Sequence, residues 1–264
     1  MKTIQKLTLG LLTVVASSTA FSATNLILDV QGLNNSADVS GALSATTIKK
    51  IGAGIANVSG AVSAALELSV GQFNVSGAAS MPSAVSFDTT SDSILKINDA
   101  ALPLPALAMS ASGKVLLNVA SLSWAAAPAG AATLTIDGTA GSVKNLVVGA
   151  DMSASTVAIT VDTLANLQVG GAGNKSTDGI HTISGMLEIL ASPAAECVPG
   201  ITTIQSAGVL KVVDGVTVPA ASAAGDLFGN DADGSDTLKF NSGAVLRLGH
   251  GVTWARAITV GSAL

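Results

Sequence analysis

The segment SAGVLKVVDGVTV, Ser206–Val218, returns as SGAVLRLGHGVTW, Ser242–Trp254, with six of thirteen positions identical and Lys211 replaced by Arg247. A chain that repeats a strand and its turn builds one structural unit again, and neighbouring units cover each other's apolar faces. Shorter alternations recur as ILKI (Ile94–Ile97), TLTI (Thr133–Ile136), AITV (Ala158–Val161), NLQV (Asn166–Val169), MLEI (Met186–Ile189) and VLRL (Val245–Leu248). Alternation at period two marks a half-buried strand, and the Gly, Ser, Asn and Asp between the runs mark turns. Upstream, DVSGALSA (Asp38–Ala45), NVSGAVSA (Asn57–Ala64) and NVSGAASM (Asn74–Met81) fall nineteen and then seventeen residues apart.

That spacing predicts an all-β parallel solenoid, each coil about 4.8 Å above the last and each corner turned at Gly. Roughly twelve coils would give a rod about 55 Å long. The thirty-six-residue step fits if a coil carrying the loop GDLFGNDADGSD separates the two copies. The core must be thin: 48% of the chain is apolar, yet it has no Tyr, two Trp and five Phe. A β-sandwich array is the alternative, although sandwiches bury more large aromatics between their sheets. One segment breaks the β pattern. Ile48, Ile51, Ile55 and Val58 step by three and four, predicting a helix over Ser44–Ala56 that caps the N-terminal end, against the cost of Gly52 and Gly54.

MKTIQKLTLGLLTVVASSTAFSA has two early lysines, an apolar run and small residues at Ala20 and Ser22, the pattern of a secretory signal peptide. The expected domains are therefore 1–23 as leader and 24–264 as a single solenoid, secreted or at the bacterial cell surface. Without Lys2 and Lys6 the chain holds ten basic against seventeen acidic residues, a net charge of −7. This argues against nucleic acid and anionic membranes as partners. The uncharged stretch Val115–Ile136 is broken by Asn118, Pro128 and Gly130, so no transmembrane segment is expected in the mature chain. Cys197 is the single cysteine, so no intrachain disulfide can form, and a partly buried free thiol is the expectation.

Chemistry-bearing groupings are sparse. His181 and His250 are the two histidines, and His250 takes the turn position that Asp214 holds in the first repeat copy. GGAGNKS (Gly170–Ser176) lacks the spacing of a phosphate loop and reads as a Gly-rich corner. Asn57 and Asn74 begin Asn-x-Ser triplets that come with the NVSG repeat. The candidate metal site is Asn230, Asp231, Asp233 and Asp236, four oxygen donors in a Gly-containing loop suited to calcium, with a solvated acidic turn as the alternative. No other cofactor is expected.

SGAVLRLGHGVTWARAITVGSA and ATLTIDGTAGSVKNLVVGADMSAS resemble the passenger domains of bacterial autotransporter adhesins and related surface-layer proteins. The resemblance implies a parallel β-helix and a structural or adhesive role through self-association or binding of other surface proteins or glycans; it carries over no catalytic residues. The expectation is a protein that is not an enzyme. A polysaccharide-acting β-helix enzyme is an alternative that needs clustered carboxylates or basic residues on one face. A carbohydrate-binding sandwich is another, with Trp124 and Trp254 as its available aromatics.

Overall fold

The computed structural model describes residues 4–9, 15–16, 21–77, 80–88, 93–99, 103–221, 226–229, 238–258 and 260–261. It is a parallel β-solenoid. One twelve-stranded sheet, here the through sheet, runs from Val15–Ala16 to Val260–Gly261. A seven-stranded N-terminal sheet runs from Ile4–Leu9 to Ala129–Gly130, and a six-stranded C-terminal sheet from Ser121–Trp124 to Val245–Leu248. The winding that contains Gly113–Leu117, Ser121–Trp124 and Ala129–Gly130 places one strand in each of the three sheets. Parallel pairing rules out the sandwich alternative.

The alternation read from sequence becomes the inside and outside of these walls. Along the through sheet the inward residues Ala56, Phe73, Leu95, Val115, Ile136, Val161, Ile183 and Ile204 stack one upon the next. The C-terminal sheet does the same with Leu122, Leu146, Leu167, Leu187 and Leu210, every one at most 2% exposed. Each such side chain contributes about 1.5–3 kcal/mol by leaving water. Where Phe87 reaches across the interior, the facing through-sheet position is Gly113, because any Cβ there would overlap the ring.

The NVSG repeats stack directly: Val39 pairs with Val58, and Val58 with Val75. Their Gly corners lie so close that a Cβ on Gly60 would overlap the Gly41 carbonyl. The two C-terminal repeat copies also stack directly. Leu210 pairs with Leu246, and Val218 with Trp254. No coil separates them, contrary to the expectation.

The helix expected over Ser44–Ala56 is replaced by two strands, Leu43–Ile51 and Ile55–Val58. Gly52 turns the chain between them at φ 77°, where a Cβ would overlap the Val30 carbonyl. The three-and-four spacing reflects strands on two different walls. Ile48 packs inward from the first, Ala56 and Val58 from the second. No helix among the described residues is long and apolar enough to cross a membrane.

Candidate functional site

The most regular outward feature lies on the through sheet. Lys114, Thr135, Thr160, Thr182, Thr203 and Lys239 are successive register partners, so four threonines form one row between two lysines. Coil stacking sets their spacing at about 4.8 Å. The row exists because each Thr stands between two inward, buried residues of its strand, which sends it outward. Beside it, Lys114 Nζ donates to Asp137 at 3.1 Å and to Asp162 at 3.2 Å. Burial pulls the Lys114 ammonium down, but the two carboxylates outweigh it and hold its pKa above the ordinary lysine value. Two carboxylates and a lysine thus share one stretch of wall, each bound to the other sign.

Side-chain ladders continue this wall at both ends. Asn74 Nδ2 donates to Asn57 Oδ1 at 2.6 Å, and Asn57 Nδ2 to Asp38 Oδ1 at 2.7 Å. These asparagines are rungs of an amide ladder, the physical content of the NVSG repeat. Asn118 links Asn98 at 2.9 Å to Thr139 at 2.6 Å, and Asn241 donates to Gln205 at 2.7 Å. On the C-terminal sheet, Glu188 accepts from Lys211 at 2.6 Å, Gln168 at 2.7 Å and Asn166 at 2.8 Å. Burial pushes the Glu188 carboxyl up, but these donors, Lys211 foremost, hold it below the usual range.

Several groups named from sequence are spent inside the rod. His181 lies in an inward row between Ile159 and Thr202, fully buried, with Nε2 2.8 Å from the Ser176 hydroxyl. Burial pulls its pKa down to about 4, so the ring is neutral. Its Nδ1 and the Thr202 hydroxyl are both buried without a protein partner. Cys197 is a free thiol, wholly buried and pushed up to about 12 by that burial. Trp124 is fully buried, which removes it as an exposed sugar platform. Trp254 is half-buried and donates to the Arg256 carbonyl at 2.6 Å. His250 is an exposed turn residue whose amide donates to Asp214, its counterpart in the repeat, at 2.9 Å. Gly170–Ser176 is a corner, pinned by Asn174 Nδ2 to the Gly170 carbonyl at 2.8 Å. The candidate calcium ligands Asn230, Asp231, Asp233 and Asp236 lie outside the described residues. Among the described residues no three His, Cys, Asp or Glu side chains converge as a metal site requires.

Three buried charged residues, Lys50, Asp226 and Arg256, had no signal in the pattern. Lys50 occupies an inward row between Leu28 and Leu68. Its ammonium donates to the carbonyls of Ile51 at 3.0 Å, Gly52 at 2.6 Å and Val70 at 3.2 Å, and burial lowers its pKa to about 8. Arg256 donates to both carboxylate oxygens of Asp226, at 2.6 and 2.7 Å, and lies 5.4 Å from the Phe228 ring centre. Only the partner of Asp226, thirty residues on, gives that carboxylate a role.

The concavities are shallow and on the outside. One, about 540 Å³, lies on the outer wall of the N-terminal sheet over Ala65, Ala84, Ala106 and Ala108. Another, about 460 Å³, flanks the threonine row beside Ile180, Ile201, Asp178 and Glu196. No family model, curated protein or solved structure matches the chain.

Proposed function

We propose that the chain is an exported bacterial surface protein with a structural or adhesive role, acting by self-association or by binding surface proteins or glycans through its outer wall. The observation that carries this reading is the row Thr135, Thr160, Thr182 and Thr203 on a sheet that runs the length of the rod. Repeated hydroxyls and methyls at coil spacing favour an extended partner over a small molecule. The buried state of His181, Cys197 and Trp124 supports the same reading, because it leaves these groups to packing. The test is export and display in a Gram-negative host, followed by cell aggregation and adhesion to glycan-coated surfaces. Thr160→Lys with Thr182→Lys should cut adhesion at least fivefold while the purified protein keeps its β circular dichroism. Unchanged adhesion by a folded, exported variant sinks the reading.

A second reading, a polysaccharide-acting enzyme, draws support from Asp137, Asp162 and Lys114 on one face. Paired carboxylates are what acid–base cleavage of glycans needs. Degradation of a polyuronate panel that disappears in Asp162→Asn would favour it. Calcium at Asn230, Asp231, Asp233 and Asp236 is likewise proposed; titration calorimetry that shows no loss of affinity in Asp231→Ala with Asp233→Ala rejects it.

A further inference from the structure

Ala158, Ile180 and Ile201 stand one residue before Ile159, His181 and Thr202, which stack in register, so they form a second outward row beside the threonines. Just before that row the chain turns a corner, where successive windings approach closely. A Cβ on Gly179 would overlap the Val157 carbonyl, and one on Gly200 would overlap the Gly179 carbonyl. This stacking keeps side chains off the corner, and a hollow of about 460 Å³ lies over it. The floor is aliphatic. Ile180 is 55% exposed, and Ile201 and Ala158 are half-buried beside it.

Two exposed carboxylates, Asp178 and Glu196, line the same hollow. Among the described residues neither side chain has a hydrogen-bond or ionic partner. Every other described carboxylate meets a donor or a cation, as Glu67 and Asp88 meet Lys49 and Glu188 meets Lys211. The rod thus satisfies its acids one by one and leaves open the two that share a hollow. A ligand for this surface needs an alkyl stem for the isoleucines and a positive head for the carboxylates. Lysine and arginine are built that way: the stem covers apolar surface while the head stays at the polar rim. A calcium ion takes more oxygen donors than two carboxylates over an aliphatic floor supply. A neutral glycan would leave both charges unanswered.

We propose that this hollow seats a lysine or arginine side chain of a partner protein, its stem over Ile180 and Ile201 and its charged head on Asp178 and Glu196. The net charge of the chain, −5, draws a basic partner toward the seat. The inference rests on the surface-binding reading and names the chemistry of one protein contact. Adhesion is measured on displayed chains and the seat on purified protein, so each can fail alone.

The test is fluorescence anisotropy of a fluorescein-labelled peptide of alternating lysine and glycine, titrated with the purified chain at low ionic strength. The same peptide with diaminopropionate for lysine keeps the charge and shortens the stem, and should bind at least fivefold more weakly. Asp178→Asn with Glu196→Gln should weaken the lysine peptide at least fivefold. Ile180→Ser should erase the preference for the longer stem. Asp151→Asn with Asp214→Asn removes equal charge from other exposed positions and should leave binding unchanged. All variants should keep the β circular dichroism spectrum. Absence of binding by the unaltered chain overturns the proposal, as does an equal loss in the two double variants, which would mean diffuse attraction. Tighter binding of a glucosamine oligomer than of the lysine peptide would give the seat to a cationic glycan instead. Self-association in sedimentation velocity that Asp178→Asn with Glu196→Gln abolishes would give it to a second copy of the chain, and also overturns the proposal.

Discussion

Arg256 holds Asp226 through both carboxylate oxygens across thirty residues of chain, with the arginine side chain wholly buried. The pair fastens 226–229 against the last winding. There the Cys197 thiol donates to the Leu227 carbonyl, and Val198 bridges Phe228.

Removing one member of a buried ion pair takes away the other's main counter-charge, which costs about 3–5 kcal/mol in such pairs. Asp226→Ala should lower stability by about that amount in urea unfolding. Replacing both, as Asp226→Leu with Arg256→Met, should cost much less. Because solenoid windings depend on nearest neighbours, the loss should appear as faster amide exchange at 226–229 and 238–258, with 103–130 unaffected. Uniform loss of protection along the chain would refute a local clasp.

His181 makes the rod acid-sensitive. Its folded pKa is about 4 against 6.5 for a free ring. Below pH 6.5 the unfolded chain binds a proton that the folded chain refuses, so stability falls as pH drops from 6.5 to 4. The loss for this group is about 3 kcal/mol. His181→Leu should flatten that part of a stability–pH curve measured by guanidinium unfolding. An equally steep curve in the variant would assign the sensitivity to other groups.

Lys50 acts in the alkaline range. Its folded pKa of about 8 lies below the ordinary 10.5. Between those values the unfolded chain keeps a proton that the folded chain has released, so folding becomes more favourable as pH rises from 8 to 10.5. Lys50→Met, which keeps length and volume between Leu28 and Leu68, should abolish that rise and leave neutral-pH stability equal or higher. A large loss of neutral-pH stability would mean that the three carbonyl bonds outweigh the burial of the charge.

Asn57 lies between Asp38 and Asn74 and bonds to both. Asn57→Ala should cost about 1–2 kcal/mol, one net hydrogen bond on each side. Asn57→Asp should cost more at pH 7, by setting a second carboxylate beside Asp38, and recover toward pH 4. Thermal melts at the two pH values separate these outcomes.

Much of the architecture was legible because it depends on adjacent residues. Period-two runs such as TLTI and MLEI became strands with the apolar members inward, and the NVSG spacing became the coil step. The helix misreading at Ser44–Ala56 shows the limit. One-dimensional spacing cannot tell a single helical face from two strands on different walls, and Gly52, set close to the Val30 carbonyl, decides it. The threonine row was hidden for a related reason. Thr135, Thr160, Thr182 and Thr203 are separated by unequal intervals, because corner loops absorb the differences, so only pairing brings them into line. Lys50 and the Asp226–Arg256 pair were illegible for another reason: ordinary charged residues become internal only through neighbours in the adjacent winding, about twenty to thirty residues away in sequence.

The four-threonine row also behaves as a ruler. Its rungs are fixed by backbone stacking, so under the proposed surface role a partner of similar pitch would meet several weak contacts at once, with a combined avidity far above any single one. Loss of one rung is then forgiven, whereas an inserted winding that breaks the cadence of the marks is not.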